Sequence, residues 1–256
     1  MTKKTLLLGA VALMATTAQA LVTGWTNWQN FDCKSDTPTG STESPNTAKN
    51  KIYWVSDSQL ANFTSDSNFA VKTTLTLEKN FEWNNSKKNV GLLLTFCSGN
   101  NRYAIQGAST QAWNSVTGKD DTIAAKPGTV IAGNWVHEST YAWENAKDLG
   151  VVLTKGQSYE LMFTCVNKVF CAYVDNKLIG KFDASAWGET WAIDEIVWGT
   201  DKDGKSKNLY DHMSGSYEFK DFSYSVIKSN PEPTSLALLA LGIASLALRR
   251  RAFCLQ

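Results

Sequence analysis

The sequence predicts an all-β protein, an antiparallel jelly-roll β-sandwich with a short leader before it and a short apolar helix after it. Apolar and polar residues alternate along short runs such as 68–77 and 157–165, and this two-residue period is typical of strands with one buried face. Gly, Asn and Asp separate the runs, as expected at turns. Many short strands joined by turns indicate a sandwich or jelly roll.

The first 20 residues have the three parts of a secretory signal peptide. Lys3 and Lys4 form a basic start, residues 6–14 form a short apolar core, and Ala18-Gln19-Ala20 forms a cleavage signal. The apolar core is shorter than the roughly 20 residues that a membrane-spanning helix needs, so a permanent first span is not favoured. We expect export, with a mature chain that begins at Leu21.

Residues 21–229 have a suitable size for a single sandwich domain. Of the 25 basic and 24 acidic residues in the chain, two lysines lie in the leader, and three arginines and one glutamate lie in the tail. The body is therefore nearly balanced in charge. Nucleic-acid-binding proteins carry a basic face, so this balance argues against nucleic acid as a partner.

Strands are predicted in order along the body. In the run 68–77, Phe69, Val71 and Leu75 alternate with polar residues, whereas the run 90–97 is almost continuously apolar. A continuous apolar run is typical of a central strand covered on both faces. The other predicted strands are residues 157–165, 169–175, 177–182, 191–199 and 216–226.

Residues 155–183 with their flanking strands resemble the concanavalin A-like and laminin G-like jelly rolls, and the resemblance spans residues 50–227. It depends on a Gly, an alternating strand, a hairpin and a turn that leads into a further short strand. It implies two antiparallel sheets packed face to face. Asn176 stands where Gly is commoner, and Asn tolerates this turn conformation. The matching residues are Gly156, Tyr159, Leu161, Phe163, Tyr173, Val174, Asp175, Lys177 and Gly180.

The body contains four cysteines, and an even count in an exported chain suggests disulfides. Cys165 and Cys171 face each other across a hairpin if the chain turns through a three-residue loop at 167–169. This pair is the candidate disulfide, with two buried free thiols as the alternative. A zinc site is less favoured, because no Cys-x-x-Cys or nearby His accompanies the pair. The pairing of Cys33 and Cys97 is left open.

The stretch 107–149 does not follow the strand rhythm and is rich in Gly, Ser, Thr and Asn. Long loops with their own aromatic residues either cover the core or bind ligands. Aromatic rings pack against the C–H faces of sugars, and neighbouring polar groups bind the hydroxyls. We expect a glycan-binding site here, with packing of the same rings into the core as the alternative. The candidate residues are Trp113, Asn134, Trp135, His137, Tyr141 and Trp143.

We expect a non-catalytic protein. Laminarinase-like glycoside hydrolases, which share the sandwich, place three acids at alternate positions of one strand, and the run Glu78-Lys-Asn80-Phe-Glu82 has an amide in the middle. Retaining hydrolysis needs two carboxyl groups about 5 Å apart, and this run is more typical of a solvated hairpin. Asp194 and Glu195 are adjacent, so a regular strand points them to opposite faces.

No cofactor is expected. The cluster Asp201-Lys-Asp203-Gly204 is the only stretch that suggests a calcium site, such as those common in laminin G-like domains. It lacks the further acidic residues of a calcium-binding loop. A polar turn between strands is therefore the favoured interpretation, with calcium as a weak alternative.

The tail, residues 230–256, has three features in sequence: a Pro-Glu-Pro motif at Pro231, Glu232 and Pro233, an uncharged apolar segment at 234–248, and Arg249, Arg250 and Arg251. A helix of that length is about 22 Å long, against about 30 Å for the hydrocarbon core of a bilayer. Such a helix inserts when its flanking arginines snorkel and the bilayer thins locally.

This order of features resembles the PEP-CTERM sorting signal of Gram-negative bacteria. The resemblance implies recognition by a membrane-embedded exosortase, a transient anchor in the inner membrane, and final placement at the cell surface, the outer membrane or the extracellular matrix. It also implies association with exopolysaccharide. Asn230 and residues 252–256 depart from the common pattern.

These observations predict an exported surface or matrix protein whose sandwich domain binds glycan without catalysis. The expected partners are the exosortase, a glycan or exopolysaccharide, and the membrane before processing. Two alternatives are kept: a glycoside hydrolase or lyase of the laminarinase-like sandwich type, and a structural matrix protein without a ligand.

Overall fold

The computed structural model describes ten stretches of the chain, and the predicted signal peptide at 1–20 and sorting tail at 230–256 lie outside them. Within the described stretches, no helix has the length and apolar character needed to cross a membrane. The described residues are 25–36, 50–55, 57–83, 90–108, 111–114, 119–122, 126–136, 140–142, 151–200 and 213–228.

Strands dominate the described residues, whose helical content is a single α-turn at Asp57–Leu60 and a 3₁₀ turn at Ala184–Trp187. The strands are β1 (Gln29–Asn30), β2 (Cys33–Asp36), β3 (Ile52–Val55), β4 (Ser67–Leu77), β5 (Glu82–Trp83), β6 (Val90–Ser98), β7 (Asn101–Ala108), β8 (Gln111–Asn114), β9 (Lys119–Thr122), β10 (Thr129–Val136), β11 (Thr140–Ala142), β12 (Gln157–Val166), β13 (Val169–Val174), β14 (Lys177–Asp183), β15 (Glu195–Trp198), β16 (Met213–Ser214) and β17 (Tyr217–Lys228).

Two sheets form the body of the protein. The six-stranded sheet has the order β1-β17-β4-β12-β13-β14, and the seven-stranded sheet has the order β11-β10-β7-β6-β15-β3-β2. Strand pairs β5–β16 and β8–β9 form two further small sheets. Each pairing among the described strands is antiparallel. The predicted all-β antiparallel sandwich is confirmed.

The core lies between the two large sheets and is rich in aromatic rings. Phe163 of β12 is fully buried, and its ring centroid lies 4.9 Å from that of Phe96 and 5.1 Å from that of Tyr103 on the facing sheet. Leu161 is fully buried and Tyr159 packs against the core, so the predicted alternation in this strand is confirmed. Burial of each such side chain contributes roughly 1.5–3 kcal/mol, and these contacts hold the sheets together.

The prediction of a long loop over 107–149 is wrong, because β8, β9, β10 and β11 lie within this stretch. The physical reason is clearest in β10. Val130 and Ala132 belong to the core between the sheets, while Ile131 between them points to the opposite face and is also fully buried. A strand covered on both faces loses the apolar–polar alternation that reveals a strand in sequence.

The predicted loop at 167–169 is also wrong. The hairpin between β12 and β13 turns through two residues, Asn167 and Lys168, whose φ angles are 50° and 66°. This left-handed pair is the geometry of tight hairpin turns that match the twist of their strands. Shortening the loop by one residue shifts the pairing by one position.

That shift separates the two cysteines of the candidate disulfide. Cys165 is paired with Phe170, and Cys171 is paired with Thr164. A one-residue change of register moves a side chain to the other face of the sheet. Cys165 therefore lies in the core, Cys171 packs with Met162 on the outer face, and both are free thiols. The predicted Cys165–Cys171 disulfide is contradicted.

Cys33 and Cys97 lie on β2 and β6, which are separated by two strands in the seven-stranded sheet. Three strand spacings amount to about 14 Å. A disulfide needs Cα atoms within about 7 Å, so the sheet keeps these two thiols apart.

One side of the sandwich is closed where β14, the edge strand of the six-stranded sheet, approaches β10. A Cβ built on Gly180 would overlap the Cβ of Ala132 and would lie 3.1 Å from the hydroxyl oxygen of Tyr103. The two sheets approach this closely only because residue 180 has no side chain.

Candidate functional site

The seven-stranded sheet has a core face and an outer face, and alternate residues of β7 divide between them. Tyr103 and Ile105 belong to the core between the sheets. Arg102, Ala104 and Gln106 therefore point to the outer face, yet all three are buried. The outer face of this sheet thus has a covered floor that contains polar side chains.

One row of residues crosses five adjacent strands on this face. The register pairs Glu195 with Cys97, Cys97 with Arg102, Arg102 with Trp135, and Trp135 with Tyr141. Residues directly opposite each other on neighbouring strands lie about 4.5–5.5 Å apart and share a face. The pairing therefore brings an acid, an arginine and two aromatic residues to adjacent positions, and we call this set the outer-face row.

Arg102 is the fixed charge of the outer-face row. Its side chain is only 1% exposed, and Nη1 donates hydrogen bonds to the carbonyl oxygens of Gly99 at 2.7 Å and Asn101 at 2.9 Å. The Gly99 N–H in turn donates to Oδ2 of Asp194 at 2.8 Å. Asp194 thus fixes the turn whose carbonyl oxygen holds the guanidinium.

Gln106 lies on the same face of β7, four residues after Arg102. Its side chain is fully buried, and neither the amide oxygen nor the amide nitrogen has a hydrogen-bond partner among the residues the structure describes. An unsatisfied buried polar group costs roughly 1–3 kcal/mol. Such a group in a native protein requires an explanation, and water or a ligand is the usual one.

The structure brings two of the six predicted glycan-binding residues together. Trp135 and Tyr141 occupy paired positions on β10 and β11. Trp113 lies on β8, which contacts β11. The sequence names these three residues as candidates within a predicted loop, and it predicts neither their strands nor the pairing.

Asn134 does not share the face of Trp135, because successive residues of a strand point to opposite faces. It pairs with Tyr103, a core residue, and its buried amide oxygen has no hydrogen-bond partner within the described ranges. His137 and Trp143 lie outside the described residues, and their part in the site stays a prediction.

The run with Glu78, Asn80 and Glu82 forms an exposed turn between β4 and β5, but the predicted hairpin is wrong, because β4 pairs with β17 and β5 with β16. The Glu78 N–H donates to the carbonyl oxygen of Ser216, and the Ser216 N–H donates to Oδ1 of Asn80 at 3.2 Å. Glu82 forms an ion pair with Lys155 at 2.8 Å, and Lys155 holds the pKa of Glu82 below its usual value. These residues therefore do not line one face of a strand.

Sequence reasoning does not find Arg102 and Gln106, and the sequence carries only a weak signal for them. Both occupy alternate positions of a strand whose other positions are apolar, a pattern that normally places polar residues in solvent. Their burial depends on a cover over the outer face, which local sequence cannot reveal.

No group of three or more His, Cys, Asp or Glu side chains within the described ranges is placed to hold a metal ion. The weak calcium candidate, Asp201, Asp203 and Gly204, lies outside those ranges. The preference for no cofactor therefore stays a prediction.

Comparison with known proteins identifies one family motif. Residues 231–251 match the PEP-CTERM protein-sorting motif, which confirms the interpretation of the tail. The match covers the end of the chain and does not extend into the sandwich. No curated protein matches the sequence.

Solved structures with similar architecture share little sequence with the chain. A Trypanosoma rangeli sialidase is 12% identical over 79% of this chain and 31% of its own, with a TM-score of 0.43. The alginate lyase AlgAT5 from Polysaccharide Lyase family 7 is 9% identical over 77% of this chain and 78% of its own, with a TM-score of 0.39.

A heptameric SAP-like pentraxin from Limulus polyphemus is 14% identical over 75% of both chains, with a TM-score of 0.39. The chain spans 23% and 31% of the length of two T. rangeli sialidase chains that it resembles.

Proposed function

We infer that this exported protein, which carries a PEP-CTERM protein-sorting motif at residues 231–251, is a non-catalytic carbohydrate-binding protein of the cell surface or extracellular matrix. The proposed binding surface is the outer face of the seven-stranded sheet. Its proposed contact residues are Arg102, Gln106, Trp113, Trp135, His137, Tyr141 and Trp143.

The chemistry of the outer-face row suits a sugar. Trp135 and Tyr141 are paired on neighbouring strands, so their positions favour contact with one apolar ring face. Arg102 carries a planar guanidinium whose Nη1 donates hydrogen bonds to the carbonyl oxygens of Gly99 and Asn101. Arginine beside aromatic residues offers both stacking and hydrogen bonds to hydroxyl or carboxylate oxygens.

The single observation that carries the proposal is the buried amide of Gln106. An amide has one acceptor and two donor hydrogens, and a sugar hydroxyl can satisfy either kind. The amide belongs to the same outer face as Arg102, and none of its polar atoms is satisfied within the described residues. A ligand hydroxyl that bonds to this amide would remove the free-energy cost of leaving it unsatisfied.

Catalysis is not part of the proposal. The acidic run at Glu78 to Glu82 is engaged in turn and rim contacts with Ser216 and Lys155. Asp194 is engaged with the turn at Gly99. These contacts give Glu82 and Asp194 structural roles, which supports a binding module over a hydrolase or lyase.

The sorting motif bears on where the domain acts. The motif implies processing by an exosortase. We propose that the apolar segment 234–248 holds the chain in the inner membrane until cleavage near Pro231–Pro233. The released domain would then bind exopolysaccharide at the surface or in the matrix.

A glycan array tests this function. The purified exported domain should bind one or more glycans, and Trp135→Ala should remove that binding. Trp28→Ala is the matched control, since Trp28 packs beside Met162 and over Lys72 on the outer face of the six-stranded sheet. Absence of binding to any glycan, or equal loss in both variants, would reject the proposal.

A further inference from the structure

A separate cavity of about 250 Å³ lies at the end of the sandwich away from the outer-face row. It lies beside Gly128, just before β10, whereas Trp135 is seven residues further along the chain. Seven residues of a strand span about 23 Å, so this cavity is distinct from the outer-face row. We call it the Trp83 pocket. Its lining residues are Phe81, Glu82, Trp83, Pro127, Leu153 and Lys155.

The wall of the pocket is a fixed indole ring. Trp83 packs edge-to-face on the buried Phe81, with ring centroids 5.1 Å apart. A Cβ on either Gly107 or Gly128 would overlap the Trp83 ring, so the indole occupies space that only these two glycines leave open. Its Nε1 has no hydrogen-bond partner in the described part of the chain. Shape, rather than hydrogen bonding, therefore holds the ring.

The rim of the pocket carries an exposed ion pair. Lys155 Nζ lies 2.8 Å from Glu82 Oε1, and the two side chains are 55% and 65% exposed. Both groups are therefore open to a ligand as a hydrogen-bond donor and an acceptor.

The backbone around Lys155 is clamped on both sides. The Thr154 N–H donates to the Tyr159 hydroxyl at 2.7 Å, and the Gly156 N–H donates to the carbonyl oxygen of Leu77 at 2.8 Å. The cation is thus held on a fixed segment beside the ring. A fixed polar group loses little freedom when it binds a ligand.

We propose that the Trp83 pocket binds a single sugar ring, as the end of a glycan chain or as a monosaccharide. An aromatic and aliphatic wall suits the C–H face of a pyranose, and the adjacent carboxylate and ammonium suit neighbouring hydroxyls. The site is independent of the proposed outer-face site, because no residue is shared between them.

The size of the pocket limits the ligand. Pockets for drug-sized molecules have volumes of roughly 300–1,000 Å³, and this cavity is smaller. It accommodates one ring and excludes the interior of a branched chain. A ligand without hydroxyls would leave the rim ion pair unused, so a purely apolar molecule is a poorer fit.

The test is titration of the purified exported protein with glucose, galactose, mannose, N-acetylglucosamine and glucuronic acid, followed by calorimetry and saturation-transfer NMR. We expect at least one of these sugars to bind. The double variant Glu82→Gln with Lys155→Met should weaken that binding about tenfold or more, because charge-assisted hydrogen bonds are lost. Both residues are exposed, so the fold should persist, as checked by thermal unfolding.

Two further variants separate the pocket from its surroundings. Gly107→Ala should displace the indole and abolish the binding, since residue 107 has an ordinary backbone conformation but no room for a Cβ. Lys79→Met is the matched control for the rim, because Lys79 is exposed and lies outside the pocket lining.

Clear results would overturn the proposal. Binding of none of the five sugars would reject it, as would binding that survives both Gly107→Ala and the rim double variant. Equal loss in Lys79→Met would also reject it. The pocket variants are therefore also measured in the Trp135→Ala background, so that sugar bound at the outer face is not counted as binding in the Trp83 pocket and the two proposals fail separately.

Discussion

Single residues of the hairpin between β12 and β13 decide the state of the cysteines. The two-residue turn at Asn167 and Lys168 places Cys165 and Cys171 on opposite faces of the sheet. Burial raises the pKa of both thiols. Burial, with the nearby carboxylate of Asp32, raises the pKa of Cys33 to about 12. Each of these thiols therefore stays protonated at neutral pH.

A thiol titration tests this arrangement. The chain contains five cysteines, and the denatured, unreduced full-length protein should show five reactive thiols with Ellman's reagent. The native protein should react slowly at pH 8, and Cys33 should react faster as the pH rises toward 12, because only the thiolate is nucleophilic. A Cys165–Cys171 disulfide, identified by peptide mapping of a protein with only three reactive thiols, would contradict the register.

Gln106 is the residue whose stability and function should change in opposite directions. Gln106→Leu removes a buried amide without a partner in the described residues, so the free energy of unfolding should rise by about 1–2 kcal/mol. Glycan affinity should fall. Chemical denaturation and the glycan assay measure the two effects.

Thr95→Val is the control for Gln106→Leu. Thr95 is buried on the same face, but its hydroxyl donates a hydrogen bond to the carbonyl oxygen of Thr200 at 3.4 Å. Removal of this hydroxyl should lower the free energy of unfolding. If Gln106→Leu also lowers stability and leaves glycan affinity unchanged, the amide has a structural role only.

At the scale of elements, the approach of β14 to β10 closes the sandwich through Gly180. Gly180→Ala would force its new Cβ against Ala132 and should reduce the free energy of unfolding by about 1–3 kcal/mol. Urea denaturation measures the change, and Lys181→Ala at the next, exposed position should stay within about 0.5 kcal/mol of the wild type. Equal stability of all three proteins would contradict the close packing.

Sequence alone predicts those elements whose two faces differ. β12 and β17 pack one face on the core, and the alternation in their sequences is clear. The turn at Asp175 and Asn176 is also predicted, and its φ angles of 48° and 63° are those of a tight hairpin. Local sequence contains this information because turn residues and strand period act over a few positions.

An element covered on both faces is predicted from sequence when its run is continuously apolar, as in β6, whereas β10 has Gly133 and Asn134 within its run and is not predicted. Ile131 points away from the core and is still fully buried, so β10 looks irregular and its stretch resembles a loop. The outer-face row is missed for the same reason. Pairing of Arg102 with Trp135 depends on the register of distant strands, which a residue count along the chain cannot supply.

At the scale of the whole molecule, the C-terminal tail carries the signal for sorting of the domain. The sorting motif at residues 231–251 indicates export and sorting to the cell envelope or surface. The full sequence has a mass of 28.2 kDa. Protein recovered from its native host should begin at Leu21 and should lack the residues after the Pro231–Pro233 motif. Intact-mass spectrometry checks this, and retention of Arg249–Arg251 in the mature protein would contradict cleavage.

The sandwich domain contains both the aromatic core and the proposed binding face. The aromatic core packs the two large sheets together, while the outer face of the seven-stranded sheet holds the buried polar side chains of Arg102 and Gln106.

The most direct test of the central claim is binding of the exported domain to exopolysaccharide purified from its native host. The account predicts a measurable affinity, and the double variant Trp135→Ala with Tyr141→Ala should weaken it about tenfold or more, while Trp28→Ala should retain it. An affinity that is absent, or identical in the wild type and the double variant, would contradict a glycan-binding role for the outer face.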